Sequence, residues 1–182
     1  MNAIAALSPY SSALGKPNIE RHTLSVLVDN EPGVLARVVG LFSGRGYNIE
    51  SLTVAEVAHG EHLSRITIVT TGTPEVIEQI SHQLERIVPI HKVTDLSMQA
   101  RVIERELAMI KVHGTGEHRS EALRLSEAFR AKVIDATIES FIFELTGSPG
   151  KIDDFVELMR PIGLVEVSRT GVAAITRGAK GM

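Results

Sequence analysis

A chain of 182 residues, 43% of them hydrophobic, is long enough for one large core or two small ones, so disorder is not its default state. A net charge of −3 with the histidines neutral, scattered Lys and Arg, few aromatics and no tryptophan argue against a phosphate-neutralising or base-stacking surface. The absence of cysteine removes thiol catalysis, disulfides and thiolate metal sites, and no apolar run is long enough to span a bilayer.

Residues 1–20 read as a flexible tail rather than a signal peptide. They lack a basic opening, and Ser8, Pro9, Ser11 and Ser12 interrupt the apolar residues. A first strand spans His22 to Asp29, where Leu24, Val26 and Val28 alternate with Thr23, Ser25 and Leu27. A helix over about Val34 to Ser43 puts Leu35, Val38, Val39 and Phe42 on one face and stops at Gly44-Arg45-Gly46. Strand two is expected over Tyr47 to Val57, a hairpin turn over Ala58-His59-Gly60-Glu61, and strand three over Leu63 to Thr71. Thr73 is the expected N-cap and Pro74 the first residue of a second helix, with Val76, Ile77, Ile80, Leu84 and Ile87 inward. Strand four covers Ile90 to Leu96. The order is βαββαβ, which with right-handed crossovers gives a ferredoxin-like α+β sandwich.

After a polar linker, the order repeats. Leu107 to His113 reads as a strand, and Glu117 to Ala131 as a helix with Ala122, Leu125, Ala128 and Phe129 inward. Val133 to Ile138 and Phe141 to Leu145 read as strands, Ser148-Pro149-Gly150 opens a helix to about Met159, and Leu164 to Ser168 closes the unit. A short apolar stretch, Gly171 to Ile175, and a basic tail with Arg177 and Lys180 follow. The fold class is therefore α+β, two ferredoxin-like βαββαβ domains in tandem: a tail at 1–20, a first domain at 21–98, a linker at 99–104 and a second domain at 105–177. An internal echo supports the repeat. Asn30-Glu31-Pro32-Gly33-Val34-Leu35 resembles Gly147-Ser148-Pro149-Gly150-Lys151-Ile152, and Gly46 lines up with Gly163. The second copy lacks the Asn at the turn, so it is not expected to bind a ligand in the same way.

The carboxylates fall mostly on helix surfaces or beside turns, and no pair is singled out for acid–base work. His59-Gly60-Glu61-His62 is the tightest histidine cluster, but it sits in a hairpin without a fixed third ligand. Gly114-Thr115-Gly116 is followed by Glu117-His118 rather than by Lys-Ser or Lys-Thr, against a phosphate loop. No catalytic residue and no metal ligand is assigned. The ligand-binding expectation rests on Asp29-Asn30-Glu31-Pro32-Gly33, where a bare backbone meets a helix N-terminus that suits a carboxylate. Gly46-Tyr47-Asn48-Ile49 adds an amide beside apolar side chains. A polar end with an apolar pocket suits a free aliphatic amino acid. Helix capping explains the Asn30 turn equally well, and both roles are compatible.

The motif Asn30 to Leu35 on a βαββαβ unit resembles the ACT domain, an amino-acid-binding regulatory module. The longer run from Arg37 to Leu52, with Leu63 to Val69, Arg105-Glu106-Leu107 and Ser168-Arg169-Thr170-Gly171, resembles the small regulatory subunits of acetolactate synthase, also called acetohydroxyacid synthase. The resemblance covers about residues 20–178. It leaves out the N-terminal tail, which is longer than is usual for the family and would fit an early start codon.

The resemblance implies a non-catalytic, cytoplasmic subunit in valine, leucine and isoleucine biosynthesis. Such a subunit binds the large catalytic subunit, raises its activity and makes it sensitive to valine. It implies no cofactor on this chain, and thiamine diphosphate, magnesium and FAD on the large-subunit partner. It also implies a homodimer through ACT domains, with L-valine at their interface. Asn30, Gly33, Val34 and Leu35 of one chain would then face Asn48 and Ile49 of the other, with Leu35 and Ile49 walling the isopropyl group. Neither nucleic acid nor membrane is an expected partner. Two alternatives are a stand-alone ACT-type sensor acting on another enzyme or on transcription, and a metal-responsive ferredoxin-like protein.

Overall fold

The computed structural model describes residues 18–58, 60–99, 101–179 and 181. The tail expected at 1–20 therefore lies almost wholly outside the described residues, as do His59 of the hairpin and Lys180.

The first domain is β1 (Glu20–Asp29), α1 (Val34–Arg45), β2 (Ser51–Ala58), β3 (Leu63–Gly72), α2 (Pro74–Glu85) and β4 (Ile90–Asp95). Its sheet is antiparallel, in the order β2-β3-β1-β4. The alternation in β1 sends Leu24, Val26 and Val28 to the helix side. There they pack with Ile66 and Ile68 of β3, Val34, Val38 and Phe42 of α1, and Ile77, Ile80 and Leu84 of α2. Burying such aliphatic side chains contributes about 1.5–3 kcal/mol each. Two expectations shift here. Strand two begins at Ser51 rather than Tyr47, because Gly46 at φ +71 and the Asn48 segment are used to leave the helix. The inward face of α1 is Val34, Val38 and Phe42, at spacings of four, and this turns Leu35 outward.

The second domain is β5 (Val102–His113), α3 (Gly116–Phe129), β6 (Lys132–Ala136), β7 (Ser140–Gly147), α4 (Pro149–Gly163) and β8 (Leu164–Arg169). The sheet order, β6-β7-β5-β8, repeats the wiring of the first domain. Its core joins Ala108, Ile110 and Val112 to Phe143, Leu145, Ile152, Phe155 and Met159. Ser126, not Ala128, takes the inward place on α3. It lies one turn after Ala122, and its hydroxyl is satisfied by the Leu123 carbonyl at 2.7 Å. The helix α4 runs through Pro161 to Gly163, beyond the expected stop near Met159.

The linker is shorter than the sequence suggests, because β5 already begins at Val102. Its first residues pair with β9 (Ala173–Thr176) in a two-stranded arm, in register from Val102↔Thr176 to Arg105↔Ala173. This arm lies against the face of the first sheet that the helices leave bare. Val69, Leu96, Val172 and Ala174 form a small third core there. Ser51 Oγ accepts from the Val172 N–H at 3.0 Å, and Thr53 Oγ1 donates to the Val172 carbonyl at 2.8 Å. Arg21 pairs with Glu104 at 3.1 Å, and Thr23 Oγ1 donates to the same carboxylate. Both faces of the middle of β1 and β3 are buried as a result.

Candidate functional site

The entrance to α1 is held by backbone contacts. Asn30 N–H donates to the His62 carbonyl at 2.6 Å, and Glu31 N–H to the Asp29 carbonyl at 2.9 Å. Asp29 itself is engaged by His91. Gly33 takes the N-cap position at φ +88, a left-handed conformation that glycine adopts without strain. No side chain caps this helix, and no acidic residue sits in its first turn. Val34 N–H reaches only the Glu31 carbonyl, at a long 3.5 Å. The first-turn N–H groups have no intrahelical partners, and they carry the positive end of the helix dipole. The capping role of Asn30 is thus not used. The residue lies three positions before the cap, too far back for its amide to do the work of an N-cap side chain.

The expected site residues fall into two groups. Asn30, Gly33 and Leu35 come together at the open end of α1, and Leu35 is 40% exposed. Val34 belongs to that end by sequence, but its side chain is in the core at 2% exposure, so only its backbone faces outward. Asn48 and Ile49 lie past the opposite end of the helix. The Asn48 side chain is exposed while its carbonyl accepts from Thr70 Oγ1 at 2.6 Å, and Ile49 packs at the edge of the first core. A 12-residue helix separates the two groups by about 18 Å. One chain alone does not gather all six residues around one small molecule.

The carboxyls with lowered pKa are Glu75, through the Thr73 hydroxyl, and Glu121, through Arg124; both lie on exposed helix surfaces. Among the described residues, no three His, Asp or Glu side chains converge to hold a metal ion.

Two further constellations join residues far apart in the chain. Glu106, buried on β5, accepts a forked pair from Arg169 at 2.8 and 2.6 Å, and Arg169 also reaches Asp153 at 2.6 Å. These contacts, with Glu106 foremost, hold the Arg169 guanidinium more firmly protonated than usual. The Arg105-Glu106-Leu107 and Ser168-Arg169-Thr170 motifs are therefore two halves of one clamp. The second constellation is Gly171 against β2. Its φ is +82, and an added Cβ would stand 2.7 Å from Ser51 Oγ. A glycine after Ser-Arg-Thr was the only signal of that approach in the sequence.

Known proteins carry the same two-part organisation. The description "AHAS small subunit-like ACT domain" fits residues 24–92, and "Small subunit of acetolactate synthase" fits residues 105–178. A probable acetolactate synthase small subunit of Archaeoglobus fulgidus is 46% identical over 160 residues, covering 88% of this chain and 99% of the relative. The chain belongs to the acetolactate synthase small-subunit family. The isozyme 3 small subunit of Escherichia coli is likewise 46% identical, over 161 residues and 98% of its length. The crystal structure of the acetolactate synthase small subunit from Thermotoga maritima superposes with a TM-score of 0.79 at 39% identity, covering 88% of this chain and 99% of that one. An acetolactate synthase small subunit is a regulatory subunit, and its first domain here is an ACT domain.

Proposed function

We propose that this chain is the valine-sensing, activating subunit of an acetolactate synthase. It pairs through its ACT domain with a second copy and binds L-valine between the two. The observation that carries the reading is the uncapped entrance to α1. A helix N-terminus with a bare glycine in front, no acid in its first turn and an exposed leucine beside it offers a carboxylate site next to an apolar surface. The valine carboxylate takes the free N–H groups, and Leu35 packs against the isopropyl group. Asn48 and Ile49 of the second copy complete the pocket, which accounts for their distance from Asn30 within one chain.

The partner is the large catalytic subunit, which carries the thiamine diphosphate, magnesium and FAD. This chain supplies no catalytic residue, and its place is the cytoplasm. Regulation follows if valine favours one arrangement of the paired ACT domains over another and the large subunit binds the two differently. Activation of the large subunit is a separate property of the complex.

Calorimetric titration of the purified chain with L-valine, with L-lysine as control, tests the site. Valine is expected to bind saturably and lysine not. Gly33→Asp should abolish the binding by placing a carboxylate where the effector's own belongs, and leave activation of the large subunit largely intact. Gly33→Ala separates charge from backbone strain and should retain part of the binding. Full valine binding in Gly33→Asp would overturn the placement. Loss of all activation in a folded Gly33→Asp chain would overturn the separation of sensing from activation.

A further inference from the structure

The face of the first sheet that looks away from its helices carries an unexplained cationic cavity. Register builds it. Arg65 of β3 stands opposite Leu27 of β1, and Leu27 opposite Lys92 of β4, so the two cations flank one position on the central strand. The next row on the same face is Thr67, Ser25 and Thr94. The β9 arm roofs these rows, and Arg177 follows at its end. The cavity is about 640 Å³ and open to solvent on one side, lined by Arg65, Lys92 and Arg177 with Ser25, Thr94 and Gln99 among its polar groups.

Three features set it apart. No carboxylate is among its described lining residues, and none of the three cations is in an ion pair with a described residue. Ser25 is 1% exposed, yet its hydroxyl finds no hydrogen-bond partner among the described residues. Arg65 Nε, also buried, finds none either. Buried polar groups are almost always satisfied, and these two donors border one space between unpaired positive charges.

We propose that this interdomain cavity binds a small doubly charged anion, an inorganic phosphate or a short dicarboxylate. The Arg65 guanidinium and Lys92 ammonium supply charge-assisted hydrogen bonds, Ser25 donates its hydroxyl, and Arg177 closes the site from the C-terminal arm. Leu96, Ala174 and Ile175 give a short aliphatic chain a wall. A free amino acid does not fit, because its ammonium meets three cations and no carboxylate. The site is therefore distinct from the proposed valine site, on the opposite face of the sheet, and occupancy would fasten the second domain's arm to the ACT sheet.

The test is calorimetry of the full chain at low ionic strength, with sodium phosphate in one arm and disodium succinate in the other. At least one should bind saturably, and which one identifies the source of the anion. Lys92→Gln and Arg177→Gln, both at exposed positions, should each weaken that binding about tenfold. Arg160→Gln, which removes the same charge from α4, should leave it unchanged. Thermal melting checks that every variant is folded. Valine titration of Lys92→Gln should match the parent chain, so failure of one site is distinguishable from failure of the other. Absence of binding by both anions, undiminished affinity in folded Lys92→Gln and Arg177→Gln, or an equal loss in Arg160→Gln would overturn the proposal.

Discussion

The same strand–turn–helix pattern serves twice in this chain, once entering α1 and once entering α4, and the two helices begin at different points of it. In α4, Pro149 is the first helical residue and Gly150 lies within the helix. Ser148 caps it by accepting from Lys151 N–H at 3.4 Å. In α1 the matching Pro32 is still in the turn, Gly33 takes a left-handed conformation at the cap position, and the helix starts at Val34, two positions later in the shared pattern. The first entrance is left open and the second is closed by its own serine. The exits differ too. Gly46 ends α1 facing open space at φ +71. Gly163, at φ +131, ends α4 so close to β5 that an added Cβ would stand 2.1 Å from the His113 carbonyl oxygen. A repeated pattern thus yields a rigid structural unit in one domain and an accessible backbone in the other.

The comparison breaks most sharply at the exits. Gly163→Ala combines an unfavourable φ with a collision against fixed backbone and should cost about 3 kcal/mol or more. Gly46→Ala carries only the left-handed strain, about 1 kcal/mol. Chemical denaturation of the two variants measures the gap, and equal losses would mean that close approach to His113 is not what distinguishes them.

The entrances give a smaller effect with a change of sign. Gly33→Ala should destabilise by about 1 kcal/mol through its positive φ. Gly150→Ala sits in helical backbone with open space around its Cβ and should stabilise by about 0.5–1 kcal/mol. Thermal midpoints moving in opposite directions are the expected reading. Smallest of all is the cap itself. Ser148→Ala should lose about 0.5–1 kcal/mol, at the lower end for a cap because its bond is long. Asn30→Ala, which removes no cap, should stay within about 0.5 kcal/mol of the parent chain. A larger loss in Asn30→Ala would assign the Asn30 amide a structural role that the turn does not show.

Much of the fold was legible residue by residue. The alternation in β1, the spacing of Ile77, Ile80 and Leu84, and the Thr73-Pro74 start each name their element without help from the rest of the chain. The candidate site was legible in part. The Asn30 turn, Gly33 and the position of the helix start follow from local sequence, whereas the absence of a side-chain cap, the burial of Val34 and the outward turn of Leu35 do not. Those depend on which of two adjacent apolar residues the helix rotates toward the sheet. Ala128 and Ser126 show the same ambiguity on α3: a small hydroxyl that can bond back to its own helix is admitted to the core ahead of a more apolar neighbour.

The sequence by itself determined the order of the elements in the tandem βαββαβ plan and the family, because periodicity, turn residues and motifs act over a few neighbouring positions; it left Gly171 to Ile175, where β9 forms, as an apolar stretch without a pairing. Only the tertiary structure decided what covers the polar face of β1. Thr23 and Ser25 alternate with apolar residues as on a solvated strand, yet they are buried beneath the arm formed by the start of β5 and by β9. It alone joined Glu106 to Arg169, and set Arg65 beside Lys92 across Leu27. Pairing between strands depends on register over long stretches of chain, and no local pattern encodes which side chains that register will bring face to face.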